Sequence, residues 1–241
     1  MGFEKGETGL PAPPFGFLQE PAMTFAPEIV AHIRQGVRVP VLETARLKLR
    51  APRREDAKAI GSLASEFRVA ANTARIPHPY RVTDAEEFIA AANSREGEAC
   101  FVVIRDGRLI GACGIDPREE GPELGYWLGV PFWGRGYATE AARAVVDYAF
   151  GDLGSETLLS GARVTNPASR RVLEKCAFQW TGVRLTRIRS INSAAPVDRF
   201  RLDRGLWASL SRGAKSGRWL ERRPLVLRAG VRPEERLQLG D

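Results

Sequence analysis

The chain predicts a mixed α and β fold, and three features carry that prediction. "ACFVVIRDGRLIGACGID" sets Asp106-Gly107 between two apolar runs, and Asp-Gly supplies the positive φ angles that a two-residue hairpin turn requires. "PFWGRGYATEAARAVVDYAF", Pro131 to Phe150, places Gly134 and Gly136 directly before a run of helical spacing. Around these two stretches, segments of period two alternate with segments of period 3.6.

In order along the chain, residues 1 to about 40 are rich in Pro, Gly and Ala and read as an extension, with at most a short helix at "PEIVAHIRQG". "ARLKLRAP" alternates as a strand, and "RREDAKAIGSLASEF" carries apolar residues at helical spacing. After the loop "ANTARIPHPYRVTD", Thr83 or Asp84 is positioned to cap the helix "AEEFIAAANS". The Asp106-Gly107 hairpin follows, then the breaker "PREEGP", the strand "PELGYWLGV", the glycine turn and the long helix to Phe150. "LLSGARV" reads as a buried strand, a short helix starts at Asn166, and "FQWTGVRLTRI" and "VDRFRLD" form two late strands. The C-terminal stretch has no sustained period, although its "PLVL" could dock locally. The resulting division is an extension over 1–41, a main domain over 42–207 and a basic tail over 208–241.

Composition narrows the function. A hydrophobic fraction of 44% with 27% charged residues, over 241 residues, suits a globular domain with a real core. Cys100, Cys113 and Cys176 are odd in number and form no CxxC pair, which argues against a disulfide framework and a zinc site and for a reducing compartment. No basic start followed by an apolar run opens the chain, and nowhere do 18 apolar residues follow one another, so the expectation is a cytoplasmic protein without membrane association. The net charge of +7 suits a polyanionic partner, either nucleic acid or a phosphorylated small molecule. Arginine is spread along most of the chain, which equally describes a solvated surface.

The glycine turn is the strongest chemical signal. A helix N-terminus leaves its first N–H groups unpaired and presents about half a positive charge. Gly134 and Gly136 let the backbone approach a phosphate, so the N–H groups from Arg135 through Tyr137 to Ala138 can converge on it. Arg135 adds charge, Thr139 can hydrogen-bond locally and Glu140 suits the first turn. A Walker A loop is excluded because no lysine follows the second glycine, and a dinucleotide fingerprint because Thr139 stands where a third glycine belongs. A GxG turn before a helix can also be a turn without a ligand.

Taken with "LETARLKLRAPRREDA" and "NPASRRVLEKCAF", the central "ELGYWLGVPFWGRGYATEA" resembles the GNAT superfamily of N-acetyltransferases, and within it the RimJ/RimL type that acetylates α-amines of ribosomal proteins. The resemblance runs from about Leu42 to Leu202. It implies a mostly antiparallel sheet of six to seven strands with helices on both faces, splayed between the strand before the glycine turn and "LLSGARV". It also implies acetyl-CoA as cofactor, with pantetheine in the splay and pyrophosphate on the N–H groups after Trp133.

Acetyl transfer to an amine needs a proton acceptor, an oxyanion donor and a proton for the leaving thiolate. Glu123, at the head of the central strand, is the candidate base, and it reads equally well as a salt-bridge partner. By the resemblance, backbone N–H groups near Leu128 and Gly129 would meet the oxyanion. Asn166 caps its helix with Pro167 in the first position. Many superfamily members carry a tyrosine seven residues after this asparagine, where this chain has Leu173. The RimJ/RimL type has a serine three after it, which makes Ser169 the candidate to hydrogen-bond the thiol sulfur; it could also simply support the cap. Pro131 stands where the family has Gln or Arg, and Ala177 replaces a Gly at a left-handed turn. Trp133 could frame the cofactor, whereas Tyr126, Trp127 and Tyr137 read as packing. His32 has no role, His78 reads as a solvated loop residue, and no metal-ligand spacing appears.

The expected activity is direct acetyl transfer in a ternary complex, with no covalent enzyme intermediate, to a primary amine such as a protein N-terminus or a small molecule. A CoA-binding or regulatory domain that lost its chemistry is the first alternative. An RNA- or ribosome-associated binder is the second, and nucleic acid otherwise has no expected part. A homodimer is left open.

Overall fold

The computed structural model describes residues 39–93, 99–213 and 225–227. The helix expected at "PEIVAHIRQG", and His32 with it, lies outside the described residues. The first element is a short strand, β1 (Val41–Glu43), that turns at Thr44 into β2 (Lys48–Arg50). A 3-10 turn (Arg54–Asp56) then leads to α1 (Ala57–Ala64) and α2 (Phe67–Ala70), so the single helix expected over "RREDAKAIGSLASEF" is broken at Ser65 and Glu66. Helix α3 (Val82–Ala92) starts early enough to take in both expected caps, Thr83 and Asp84. Arg81 is its N-cap, and the Asp84 carboxylate in the first turn accepts the Arg81 N–H at 2.6 Å.

The Asp106-Gly107 turn joins β3 (Ala99–Arg105) to β4 (Arg108–Arg118), with φ values of 47° and 74°, as a type I′ turn requires. Strand β5 (Gly121–Leu128) pairs antiparallel with β4. The breaker "PREEGP" therefore lies largely inside this hairpin, with Pro117 opposite Pro122 and only Glu119 and Glu120 between the strands. The Gly129 N–H donates to Ile110 O at 2.9 Å. Alternation from that bond makes Pro117 and Pro122 a non-hydrogen-bonded pair, where a missing N–H removes nothing from the ladder.

Another 3-10 turn (Val130–Phe132) carries exposed Pro131 and leads to α4 (Tyr137–Gly151). Strand β6 (Thr157–Arg163), helix α5 (Pro167–Lys175), the hairpin of β7 (Gln179–Ile188) with β8 (Ser193–Asp203), and α6 (Arg204–Gly213) follow. Strand β6 is not buried throughout. Leu158, Ser160 and Ala162 are buried while Thr157, Leu159, Gly161 and Arg163 are partly open, the alternation of a strand with one face against the core. A last strand, β9 (Leu225–Leu227), lies within "PLVL" and pairs with β1.

The sheet order is β7-β8-β6-β5-β4-β3-β2-β1-β9. Its nine strands exceed the expected six to seven because β1 forms ahead of the strand expected at "ARLKLRAP", which is β2, and β9 adds an edge. One neighbouring pair, β5 with β6, is parallel, and the rest are antiparallel. Helices α4 and α5 cover one face, on a core that includes Leu124, Leu128, Val145, Phe150 and Leu173. Helices α1 and α3 cover the other face of β3 and β4 through Ala57, Ile60, Ala85, Ile89 and Val102. Helix α6 crosses the 207/208 boundary placed from sequence, with Trp207 stacked on Phe150 at 5.3 Å and donating to Asp147 at 2.8 Å.

Candidate active site

Strands β5 and β6 hold each other at two positions only, Glu123 with Leu159 and Leu124 with Ser160. Beyond Leu124 they part, while β5 runs on to Leu128 and β6 to Arg163. The same alternation that turns the Gly129 N–H to Ile110 turns Tyr126 and Leu128 N–H away from β4 and into this gap. Gly129 is thus removed from the expected oxyanion donors, since its N–H is engaged within the sheet, and Leu128 keeps the orientation that role needs. The Leu128 carbonyl accepts the Trp133 indole N–H at 2.7 Å, which fixes the partly exposed Trp133 beside the gap.

The gap ends at the glycine turn. Gly134 and Gly136 have φ of +73° and +81°, and both are exposed, with Arg135, at the surface. Gly136 is the N-cap of α4 without any side-chain cap, and the first helical bond runs from Glu140 N to Gly136 O. The N–H groups of Tyr137, Ala138 and Thr139 therefore have no intrahelical acceptor.

A brace from far back in the chain holds this turn. The Glu140 carboxylate accepts from the Thr44 hydroxyl at 2.7 Å, from Arg46 N at 2.9 Å and from Arg46 Nε at 2.7 Å. A second Arg46 nitrogen lies 2.6 Å from it, and the guanidinium also donates to Arg135 O at 3.1 Å. Because a trans peptide sets C=O and N–H on opposite sides, pulling Arg135 O toward Arg46 directs the Gly136 N–H the other way, toward the open side of the turn. The buried Tyr137 ring lies between two guanidiniums, Arg46 at 4.7 Å and Arg105 at 4.8 Å. Burial pushes the Glu140 carboxyl up, but its bonds to Thr44 and Arg46 outweigh that and hold it below its ordinary value. Sequence reasoning assigned Thr44 and Arg46 no role, although "LETARLKLR" was part of the family pattern.

Across the gap, Asn166 caps α5 by accepting Ser169 N–H at 3.1 Å. The Tyr126 phenol donates to Ser169 O at 3.0 Å, and its oxygen stands 2.9 Å from Ser169 Oγ. Burial holds this phenol well above its ordinary pKa, and the Ser169 bond pulls it only part of the way back, so it stays protonated. Read from sequence as packing, Tyr126 is instead the hydroxyl partner of Ser169. The period-two pattern placed it on one face with Leu124 and Leu128, but no local signal placed Ser169 there. Leu173 is fully buried in the core, so a phenol at this position would have no room. Helix α5 ends in a left-handed Ala177, φ +66°, with Phe178 N–H on Leu173 O and Ala177 N–H on Glu174 O, both at 3.0 Å. This is the Schellman arrangement that favours glycine, so Ala177→Gly is expected to raise stability by about 1 kcal/mol in denaturant titration.

Glu123 does not stand free. One oxygen accepts Arg199 at 2.6 Å and the other faces Arg118 at 3.5 Å. Cys100, Cys113 and Cys176 are buried thiols. Burial pushes Cys113 well above its ordinary value and Cys176 up to about 12, which leaves neither as a thiolate nucleophile. His78 is exposed and lies edge-on to Phe67 at 5.1 Å. Among the described residues no helix is long and apolar enough to cross a membrane.

A splayed sheet with a glycine turn at the head of the following helix is the frame of an acyl-group transferase. The chain belongs to the acetyltransferase (GNAT) domain family, whose model matches residues 46–179. An uncharacterized N-acetyltransferase p20 of Bacillus licheniformis is 32% identical over 150 residues, 59% of this chain and 84% of that protein. Among solved structures, Mycobacterium smegmatis RimJ in complex with CoA-disulfide shares the fold with a TM-score of 0.60 and 20% identity, over 72% of this chain and 96% of that one. Spermidine N-acetyltransferase from Vibrio cholerae, in complex with CoA and spermine, superposes with a TM-score of 0.59 and 22% identity, covering 68% of this chain and 99% of its own.

Proposed function

We propose that this protein transfers an acetyl group from acetyl-CoA to a primary amine, the α-amine of a peptide or a small molecule, directly within a ternary complex. The observation that carries the proposal is the opening of β5 from β6 after Leu124 onto an uncapped, exposed helix start. The residues fit the cofactor. Unpaired N–H groups from Gly136 to Thr139 suit a pyrophosphate, and the free edge of β5 at Tyr126 suits the amides of a pantetheine arm.

Bound acetyl-CoA supplies an activated thioester carbonyl. The Leu128 N–H is oriented to stabilise negative charge on the carbonyl oxygen. Ser169 Oγ donates toward the sulfur when the protonated Tyr126 phenol turns its one proton from Ser169 O to Ser169 Oγ, which frees the serine proton to point outward. Asn166 fixes Ser169 through the cap. Glu123 is assigned a positioning role, because both its oxygens are engaged by arginines. An α-amine with a pKa near 8 then loses its proton to water more readily than a lysine side chain near 10.4. Cys100, Cys113 and Cys176, buried and in no disulfide, fit a reducing cytoplasm.

At about 100 times the dissociation constant, acetyl-CoA should stabilise the protein by roughly 2.7 kcal/mol, and ATP or NAD should not. Ser169→Ala should keep that stabilisation and lower kcat by about 100-fold, with Tyr126→Phe intermediate. Unchanged turnover in Ser169→Ala would remove the serine from the mechanism. Lack of stabilisation by acetyl-CoA would overturn the enzyme reading in favour of a partner for the basic surface.

A further inference from the structure

The sheet face opposite Tyr126 and Ser169 is where an acceptor can approach, since α4 and α5 occupy the other. Along β5 this face presents Glu123, then Gly125, then Trp127. Gly125 is exposed, and nothing stands within 4 Å of where a β-carbon would be. Across the gap, β6 and β8 present Gly161, Arg163, Val197 and Arg199 on the same face, since Gly161 pairs with Arg199 and Arg163 with Val197. The α2–α3 loop and the β7–β8 turn meet over this region, where Arg189 N donates to Ala74 O at 3.0 Å.

The charges here are unequal. Asp116 and Glu123 sit directly opposite each other on β4 and β5, a repulsive placement unless bridged. Arg118 bridges them, Arg75 also holds Asp116, and Arg199 also holds Glu123. Glu120 is held in turn by Arg184 and Arg199. These three carboxylates thus each face two guanidiniums, with four arginines to three acids. Arg163 adds a fifth cation. Its guanidinium donates to Ala71 O at 2.6 Å, its Nε is buried without a hydrogen-bond partner, and no carboxylate pairs with its charge among the described residues.

We infer that the acceptor amine carries a negative charge of its own, a carboxylate or phosphate near the reacting nitrogen, which Arg163 and Arg199 receive beside Gly125. This rests on the acetyl-transfer reading and assigns its substrate class. A polycation meets a net positive approach and acids already saturated by arginine, whereas an anionic acceptor is steered in and supplies the counter-charge that Arg163 lacks.

The test uses the full chain with acetyl-CoA and three peptides of equal length and free N-terminus, bearing Asp/Glu, Ala or Lys at the second to fourth positions, with spermidine alongside. CoA release gives kcat/KM, and calorimetry on the CoA-bound protein gives affinity. The acidic peptide should exceed the neutral one by about tenfold and the basic one by about 100-fold, falling as salt rises. Arg163→Gln should reduce the acidic-to-neutral ratio about tenfold, and Arg163→Lys less, with the acetyl-CoA thermal shift retained in both. Equal or reversed preference, a ratio unmoved by Arg163→Gln, or no binding and no turnover of the acidic peptide would overturn the inference while the acetyl-CoA shift stands. Absence of that shift in the wild type would instead overturn the underlying enzyme reading, and this inference with it.

Discussion

Gly136→Val is expected to yield a folded protein that acetyl-CoA no longer stabilises. The residue has φ +81° and ψ 0° as the N-cap of α4, a conformation that costs a β-branched residue roughly 1–3 kcal/mol. A β-carbon there would stand 3.4 Å from an Arg46 nitrogen. Relief requires rotating the Arg135–Gly136 peptide, and Arg46 holds its carbonyl at 3.1 Å. Rotation would turn the Gly136 N–H away from the open side of the turn and spread the converging donors. Thermal midpoints with and without acetyl-CoA measure the outcome. Wild type should gain about 2.7 kcal/mol at 100-fold excess over Kd, and the variant should gain almost nothing. A normal shift in the variant would show that the cofactor does not use this turn.

Glu140→Leu should be the most destabilising surface-near change, at about 3 kcal/mol. The Glu140 side chain is 17% exposed and accepts from the Thr44 hydroxyl and from both backbone and side chain of Arg46. Leucine would leave those donors without an acceptor and free Arg46 from the glycine turn, so acetyl-CoA affinity should fall as well. The pH dependence separates this from simple loss of packing. Because the Glu140 carboxyl is held below its ordinary value, its contribution to stability is complete above the unfolded value near 4.3 and is lost as pH falls through the lower folded value. The stability gap between wild type and Glu140→Leu should therefore be constant from pH 6 to 8 and shrink below about pH 4. Asp56 acts in the same direction: burial raises its carboxyl, but Arg50 at 2.7 Å and the Arg53 N–H outweigh that and lower it. Since both variants keep Asp56, denaturant titrations across this range isolate Glu140. A gap that persists undiminished at pH 3 would mean that the Glu140 carboxylate is not what braces the turn.

Local chemistry made much of the molecule readable from its residues. Asp106-Gly107 dictates its turn wherever the flanking strands go, Asn166-Pro167 starts a helix through its own side chain and ring, and Gly134 and Gly136 mark left-handed positions that few other residues tolerate. The alternation in β5 likewise placed Leu124, Tyr126 and Leu128 on one face. The partners of those residues were decided by the tertiary structure alone. Glu123 meets Arg199 across 76 positions, Arg46 meets Glu140 across 94, and Tyr126 meets Ser169 across 43. Such contacts depend on sheet order, strand register and the angle at which α4 and α5 cross the sheet. A single bond, Gly129 N–H to Ile110 O, sets which amides face the gap, and no residue type encodes that choice. The sequence by itself determined the Asp106-Gly107 turn, the glycine turn, the Asn166 cap and the class of chemistry, because each depends on neighbours a few residues away. Which arginines hold Glu123, which hydroxyl meets Tyr126 and which cations gather on the face of β6 and β8 were decided only when distant strands came together, because charge pairing and burial are properties of the space around a side chain.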